Sequence, residues 1–208
     1  MAAGTISPRQ KMINMMYLVL TAMLALNVSK DILRVLAKLD LGMNATVTTV
    51  ERGTATLYEA IQAQVSENPR AVPINERAKQ VKSESDAIFA LLASTKEEMI
   101  ALTGGLDEEG RYKGADNRDI PENYLLNDKS IGGQGKAKEI KEKLTAFRAF
   151  LEGQSDGDEN MKRIIDETFL FEDEVVEGKK MSWERATFAE LPLAGVVPFL
   201  TDLQSRVR

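Results

Sequence analysis

MINMMYLVLTAMLALNVS, residues 12–29, is an eighteen-residue run with no charged side chain, bracketed by Arg9 and Lys11 on one side and by Lys30 and Asp31 on the other. At a rise of ~1.5 Å per residue a helix of this length covers roughly 27 Å, close to the hydrocarbon thickness of a bilayer. The run is read as a retained transmembrane helix. A cleaved secretory leader needs small residues one and three positions before the cut. A cut after Ala25 puts Met23 in the outer position and a cut after Ala22 puts Leu20 there, both bulky. A lipoprotein anchor needs a cysteine, and the chain has none. A buried core helix is the competing reading, because the length lies near the lower limit for a span. Against it stands the missing stripe of charges that core helices usually carry on their outer side.

The residues before the run read as a helix start: Ser7 can cap, Pro8 suits the first helical position and Gln10 completes a capping box. Arg9 then sits in the first turn. Steps of 100° per residue place Gln10, Asn14, Tyr17, Thr21 and Ala25 within about 80° of one another. Lipid satisfies neither an amide nor a hydroxyl, whereas a neighbouring helix does, at ~0.6 to 2 kcal/mol per bond. Asn14, Tyr17, Thr21 and Ala25 are therefore the candidate contacts with another membrane helix. Asn14 and Tyr17 also fit the membrane edge, where amides and aromatic rings are common, but Thr21 carries the stripe deep into the run. Charge does not orient the span: Lys30, Arg34 and Lys38 follow it as Arg9 and Lys11 precede it.

Composition narrows the rest. Setting Arg9 and Lys11 aside, the 27 Lys and Arg become 25 against 32 Asp and Glu, a net charge of −7 over residues 30–208 that argues against a nucleic-acid partner. Those residues suffice for one sizeable core or two small ones. With 0 His and 0 Cys, disulfides, thiolate or imidazole metal sites and His-based nucleophilic schemes are excluded. No catalytic residue, metal ligand or cofactor site is expected, and the chain is read as a non-enzyme. Gly132–Ala137 looks like a phosphate-binding loop but has Ser130 and Ala137 where glycine and a metal-binding hydroxyl are needed. Asp156, Asp158 and Glu159 lack the twelve-residue spacing of a calcium loop. Trp183 is read as core in preference to an exposed recognition anchor.

Beyond the span, Ile32, Leu36, Leu39, Met43, Val47, Val50, Thr54, Leu57, Ile61 and Val65 advance in helical steps of three and four, keeping phase across Gly42, with a stop before Pro69. A second helix is expected from the cap Asn75 to Gly104-Gly105, with Val81, Ile88, Leu92, Met99 and Leu102 on its apolar side. A third is expected over 136–152 with Ile140, Leu144, Phe147 and Leu151. The last opens at Pro192 and carries Leu193, Val196, Leu200, Leu203 and Val207, with Pro198 a mild kink. Residues 104–135 and 154–160 read as loops, and strands as a minor feature. The expected class is all-α: a short segment 1–11, a single N-terminal transmembrane helix 12–29 and a helical-bundle domain 30–208. The last helix is still on its apolar period at Arg208, so the chain is expected to be the front part of a longer protein.

The run from Pro8 to Val28, PRQKMINMMYLVLTAMLALNV, closely resembles the start of the GldM/PorM family of the type IX secretion and gliding machinery. The stretch 181–208, with its Trp, Pro-Leu-Ala and terminal amphipathic helix, is similar to the end of that family's first periplasmic domain. The resemblance implies a single-pass inner-membrane protein with a cytoplasmic amino terminus and a periplasmic bundle, continuing into β-rich domains. It implies two copies whose spans pass through a ring of GldL subunits, driven by proton flow and carrying motion to other periplasmic secretion components. By the same resemblance Arg9 lies at the cytoplasmic end of the span, placed to pair with a membrane carboxylate of GldL. From composition alone, Arg9 would be a snorkelling anchor. A different class of function, a membrane-tethered sensor or adaptor, needs a cytoplasmic output domain, and only eleven residues precede the span.

Overall fold

The computed structural model describes residues 8–127, 135–176 and 178–208, with the side chains of 22–30, 176 and 179 outside the description. Helix α1, Pro8–Val65, is one uninterrupted rod of 58 residues, roughly 87 Å at the usual rise. Gly42 does not break it. Every described side chain from Pro8 to Thr21 is exposed. Among the described residues no helix is long and apolar enough to cross a membrane; the span expected over 12–29 runs into positions whose side chains lie outside them.

The described elements after α1 form a bundle, two helices of which pack on the later part of α1. Helix α2 is Ala71–Leu102, α3 is Asp119–Leu126, α4 is Lys136–Gln154 and α5 is Glu159–Thr168. A two-stranded antiparallel hairpin follows, β1 Glu174–Val176 and β2 Lys179–Met181, paired with Val175 opposite Lys180. Short α6, Trp183–Phe188, leads to α7, Leu193–Arg206. The class is mostly helical, as expected, with the hairpin as its strand content among the described residues.

Helix α7 is the axis of the core. Leu193, Ala194, Val196, Val197, Leu200 and Leu203 are buried in it, and it packs on α1 and α2 together. Pro198 sits inside α7 without ending it. The helix is docked at its start: the Leu193 and Ala194 amides donate to the carbonyls of Asn117 and Ala115, satisfying two first-turn donors that have no partner inside the helix. A train of rings, Phe147, Phe169, Phe171, Trp183, Phe188 and Phe199, edge-on at each step except the tilted Phe169–Phe171 pair, runs from α4 through the 169–173 segment and α6 into α7, with centroids 5.1–6.4 Å apart. Trp183 is buried in that train, in agreement with the core reading.

Several boundaries differ from expectation. Helix α2 begins at Ala71, and Asn75, expected as its cap, lies buried one turn inside. Pro73 is tolerated there because first-turn amides bond to nothing within the helix, and Asn68 orders the entering turn by accepting from the Arg70 amide. Leu102 is exposed at the far end. Helix α4 carries Gly153 inside its last turn. The segment 104–135, expected as loop, contains α3, introduced by the Asn117 side chain accepting from the Ile120 amide. The segment 154–160, expected as a turn or loop, is a turn with Asp156 and Gly157 at positive φ, its ends belonging to α4 and α5. The turn ends in Asp158, whose carboxylate accepts from the Asn160 and Met161 amides and caps α5. Asp156 pairs with Arg77 at 2.6 Å, so these carboxylates serve helix capping and docking.

Gly114 marks the tightest crossing: a Cβ there would lie 2.6 Å from the Thr103 Cβ and 2.8 Å from the Thr103 carbonyl oxygen. Gly114→Ala is expected to cost about 1–3 kcal/mol by forcing the backbones apart, measured as a lowered thermal unfolding midpoint; an unchanged midpoint refutes the crowding.

Candidate functional site

Two sides of α1 carry the features that bear on function. One side grips the bundle. The expected seam is split: Met43, Val47, Val50 and Thr54 face the bundle, but Ile32, Leu39 and Leu57 are exposed. In their place the bundle takes Leu33, Ala37 and, as the most buried member, Asp40, only 4% exposed. Hydropathy periodicity passes over Asp40 because a carboxylate scores as a surface residue. The missed signal was its spacing, three and seven residues ahead of Met43 and Val47 on one helical face.

The Asp40 carboxylate accepts hydrogen bonds from the Tyr112 hydroxyl at 2.6 Å, the Thr201 hydroxyl at 2.7 Å and the Asn44 amide at 3.0 Å. The Lys96 ammonium donates to the Thr201 oxygen at 2.7 Å and to Gln204 Oε1 at 2.9 Å. Thr201 thus stands between a cation and an anion, accepting from one and donating to the other. Burial lowers the Lys96 pKa from its ordinary value, and the Asp40 charge acts against that drop. Burial, the bond to Asp40 and its charge all raise the Tyr112 phenol, so Tyr112 stays protonated and remains a donor. The loop that presents Tyr112 is itself braced by an Asp107 turn, whose carboxylate accepts from the Arg111 amide and side chain.

A second contact closes the far end of α7. The Arg208 guanidinium lies over the Phe89 ring at 3.9 Å, 3.0 Å from Glu51 on α1 and bonded to Asp86 on α2. Its carbonyl accepts from the Thr54 hydroxyl at 3.1 Å, and the neighbouring Val207 carbonyl accepts from Ser85. Asp40 and Arg208 together fasten α7 along α1, about eleven residues or ~16 Å of helix apart.

Another side of α1 has no packing partner among the described residues. Ile32, Val35 and Leu39 are each more than half exposed. They follow Asn14, Tyr17 and Thr21 by eighteen residues in each case, which is five whole turns. The polar stripe of the expected span and this apolar stripe therefore lie on one side of a single helix. Arg9 is exposed at the start of α1, with no partner among the described residues. Asn14 accepts from Gln10 at 3.3 Å, and the Thr21 hydroxyl bonds back to the Tyr17 and Leu18 carbonyls at 2.8 and 3.0 Å. Thr21 thus uses its proton inside its own helix and offers a neighbour only its oxygen. The Ala25 side chain lies outside the described residues. The structure brings Asn14, Tyr17 and Thr21 onto one exposed face but does not bring Arg9 to any carboxylate. It places the Asp40 and Arg208 contacts elsewhere.

Arg208→Ala is expected to cost about 1–3 kcal/mol, through lost stacking on Phe89 as well as lost charge, read from denaturant midpoints. Burial raises the pKa of Asp86, but hydrogen bonds and charge from Lys82 and Arg208 outweigh it and leave it below 3.8. A carboxylate depressed by folding stabilises above its unfolded pKa, and that contribution is lost as pH falls through the folded value. Stability should therefore drop below about pH 4, and Asp86→Asn should flatten that part of the profile; an unaltered profile would contradict the assignment.

No curated protein matches the chain. The family model described as GldM N-terminal domain matches residues 31–208, from the apolar stripe of α1 through both of its contacts with α7. The match covers more than half of the chain, including the stretch 181–208 on which the resemblance rests, and it points to a role in the gliding and type IX secretion machinery. The chain belongs to the GldM/PorM family.

Proposed function

We propose that this protein is the inner-membrane component of a rotary motor driven by proton-motive force, working with GldL and carrying motion across the periplasm to power type IX secretion and gliding. It has no active site of its own. Residues 12–29 form the span, the amino terminus is cytoplasmic and the bundle is periplasmic. The observation that supports this most is the continuity of α1: one helix joins the expected span to the buried contacts of the bundle, so a displacement at one end has a rigid path to the other.

Arg9 is the coupling residue in this reading. A guanidinium keeps its charge, so protonation of a GldL carboxylate, not of Arg9, switches the attraction off. A charge crossing ~100 mV releases about 2.3 kcal/mol, comparable with a partly buried ion pair. One proton therefore suffices to break or remake one contact. Asn14, Tyr17, Thr21 and Ala25 contact the surrounding membrane helices. The stripe through Ile32, Val35 and Leu39 prolongs that face beyond the span and suits a second copy of the chain, as its apolar residues recur at helical spacing with no cover of their own.

Arg9→Ala is expected to leave assembly with GldL intact, by co-purification, while abolishing secretion and gliding; normal secretion by that variant defeats the coupling role. For the dimer, Val35→Cys introduces the sole thiol into a cysteine-free chain, and oxidation of membranes should yield a disulfide-linked pair. A control at exposed Lys38 should link far less. Equal linking at both positions counts against the stripe as the contact.

A further inference from the structure

We propose that Asp40 keys α1 to the bundle: its buried carboxylate holds the long helix in one rotational register, so that a turn imposed on the span carries the bundle with it. The inference rests on the motor reading above and assigns the residue through which that motion passes into the bundle.

Apolar packing alone selects the register of α1 poorly. The helix bears two neighbouring apolar stripes, the half-buried one through Leu33, Leu36, Met43 and Val47 and the exposed one through Ile32, Val35, Leu39 and Leu57. At 100° per residue their centres are about a quarter-turn apart. Burial of apolar surface is non-directional, so a quarter-turn of α1 exchanges one greasy stripe for another. Asp40 lies within the first stripe, and its three donors come from three places: Asn44 on α1, Tyr112 on the 103–118 segment and Thr201 on α7. Asn44 turns with α1 and keeps its bond in every register, but in any other register the carboxylate leaves Tyr112 and Thr201, and these two and Lys96 lose their acceptor or counter-charge at the same time. Fixing register is the best-attested use of a buried polar group between helices. The Arg208 contact is a weaker key, because Asp86 on α2 holds the guanidinium whether or not Glu51 is in place.

The test uses the protein in its own membrane, with spin labels at Lys38→Cys on α1 and Arg206→Cys on α7, both exposed positions in a stretch of 208 residues that holds no cysteine, any cysteine elsewhere in the protein being replaced by serine. With Asp40 present the label-to-label distance should form one narrow distribution. Asp40→Leu alone strands its donors and risks misfolding, so the decisive variant is Asp40→Leu with Tyr112→Phe and Lys96→Met. It removes both charges and the phenol together, the Thr201 hydroxyl keeps its bond to the Val197 carbonyl at 3.0 Å, and Gln204, which loses the Lys96 donor, keeps its amide bond to the Phe89 carbonyl. This variant is expected to keep the wild-type unfolding midpoint or exceed it, to broaden or split the distance distribution, and to lose secretion. A distribution as narrow as wild type overturns the key, whatever happens to secretion. A broadened distribution with undiminished secretion leaves the key standing and overturns the reading that motion passes through α1.

Discussion

A carboxylate removed from water between helices is tolerated only where donors converge on it, and Asp40 imposes that condition on the whole bundle. Tyr112 must be delivered by a braced loop, Thr201 by α7 and a counter-charge by Lys96 on α2. The Asp107 turn and the docking of the α7 amides on Ala115 and Asn117 are part of that delivery. Removing one member of such a network leaves a buried charge uncompensated, at about 3–5 kcal/mol, whereas an all-apolar replacement is often neutral. The arrangement therefore contributes more to defining where α1 sits than to how strongly it is held.

This separates the labour of the two sides of α1. Its bundle side combines apolar burial with two charged contacts near the ends of the shared run with α7. Its outer side carries Asn14, Tyr17 and Thr21 near the start and Ile32, Val35, Leu39 and Leu57 further on, in helical phase and exposed among the described residues. Helix α1 is thus gripped on one side and left open on another, along one continuous helix.

The long elements were legible in the sequence because each offers an apolar face over many turns. Helices α1, α4 and α7 and the core position of Trp183 follow from that pattern. Shorter α3, α5 and α6 were not, because eight or ten residues hold too few periods to stand out from polar surroundings, and their caps, Asn117 and Asp158, read equally well as turn residues. Asn75 misled for the converse reason: a good capping residue in the first turns of a helix is indistinguishable by type from one at its start.

The sequence by itself determined that the chain is helical, that it begins with a charge-free run flanked by basic residues, that chemistry based on cysteine or histidine is absent, and which family it belongs to. The first three are properties of composition and local periodicity, and the family rests on the likeness of particular stretches to those of its members. Only the tertiary structure decided which of two apolar stripes on α1 faces inward and that Asp40 lies at the centre of the packed side. The same holds for Arg208 closing on Glu51, Asp86 and Phe89. Those outcomes depend on partners more than seventy residues away in the chain, as Tyr112 is from Asp40, and no local pattern encodes which distant donor a buried charge will meet.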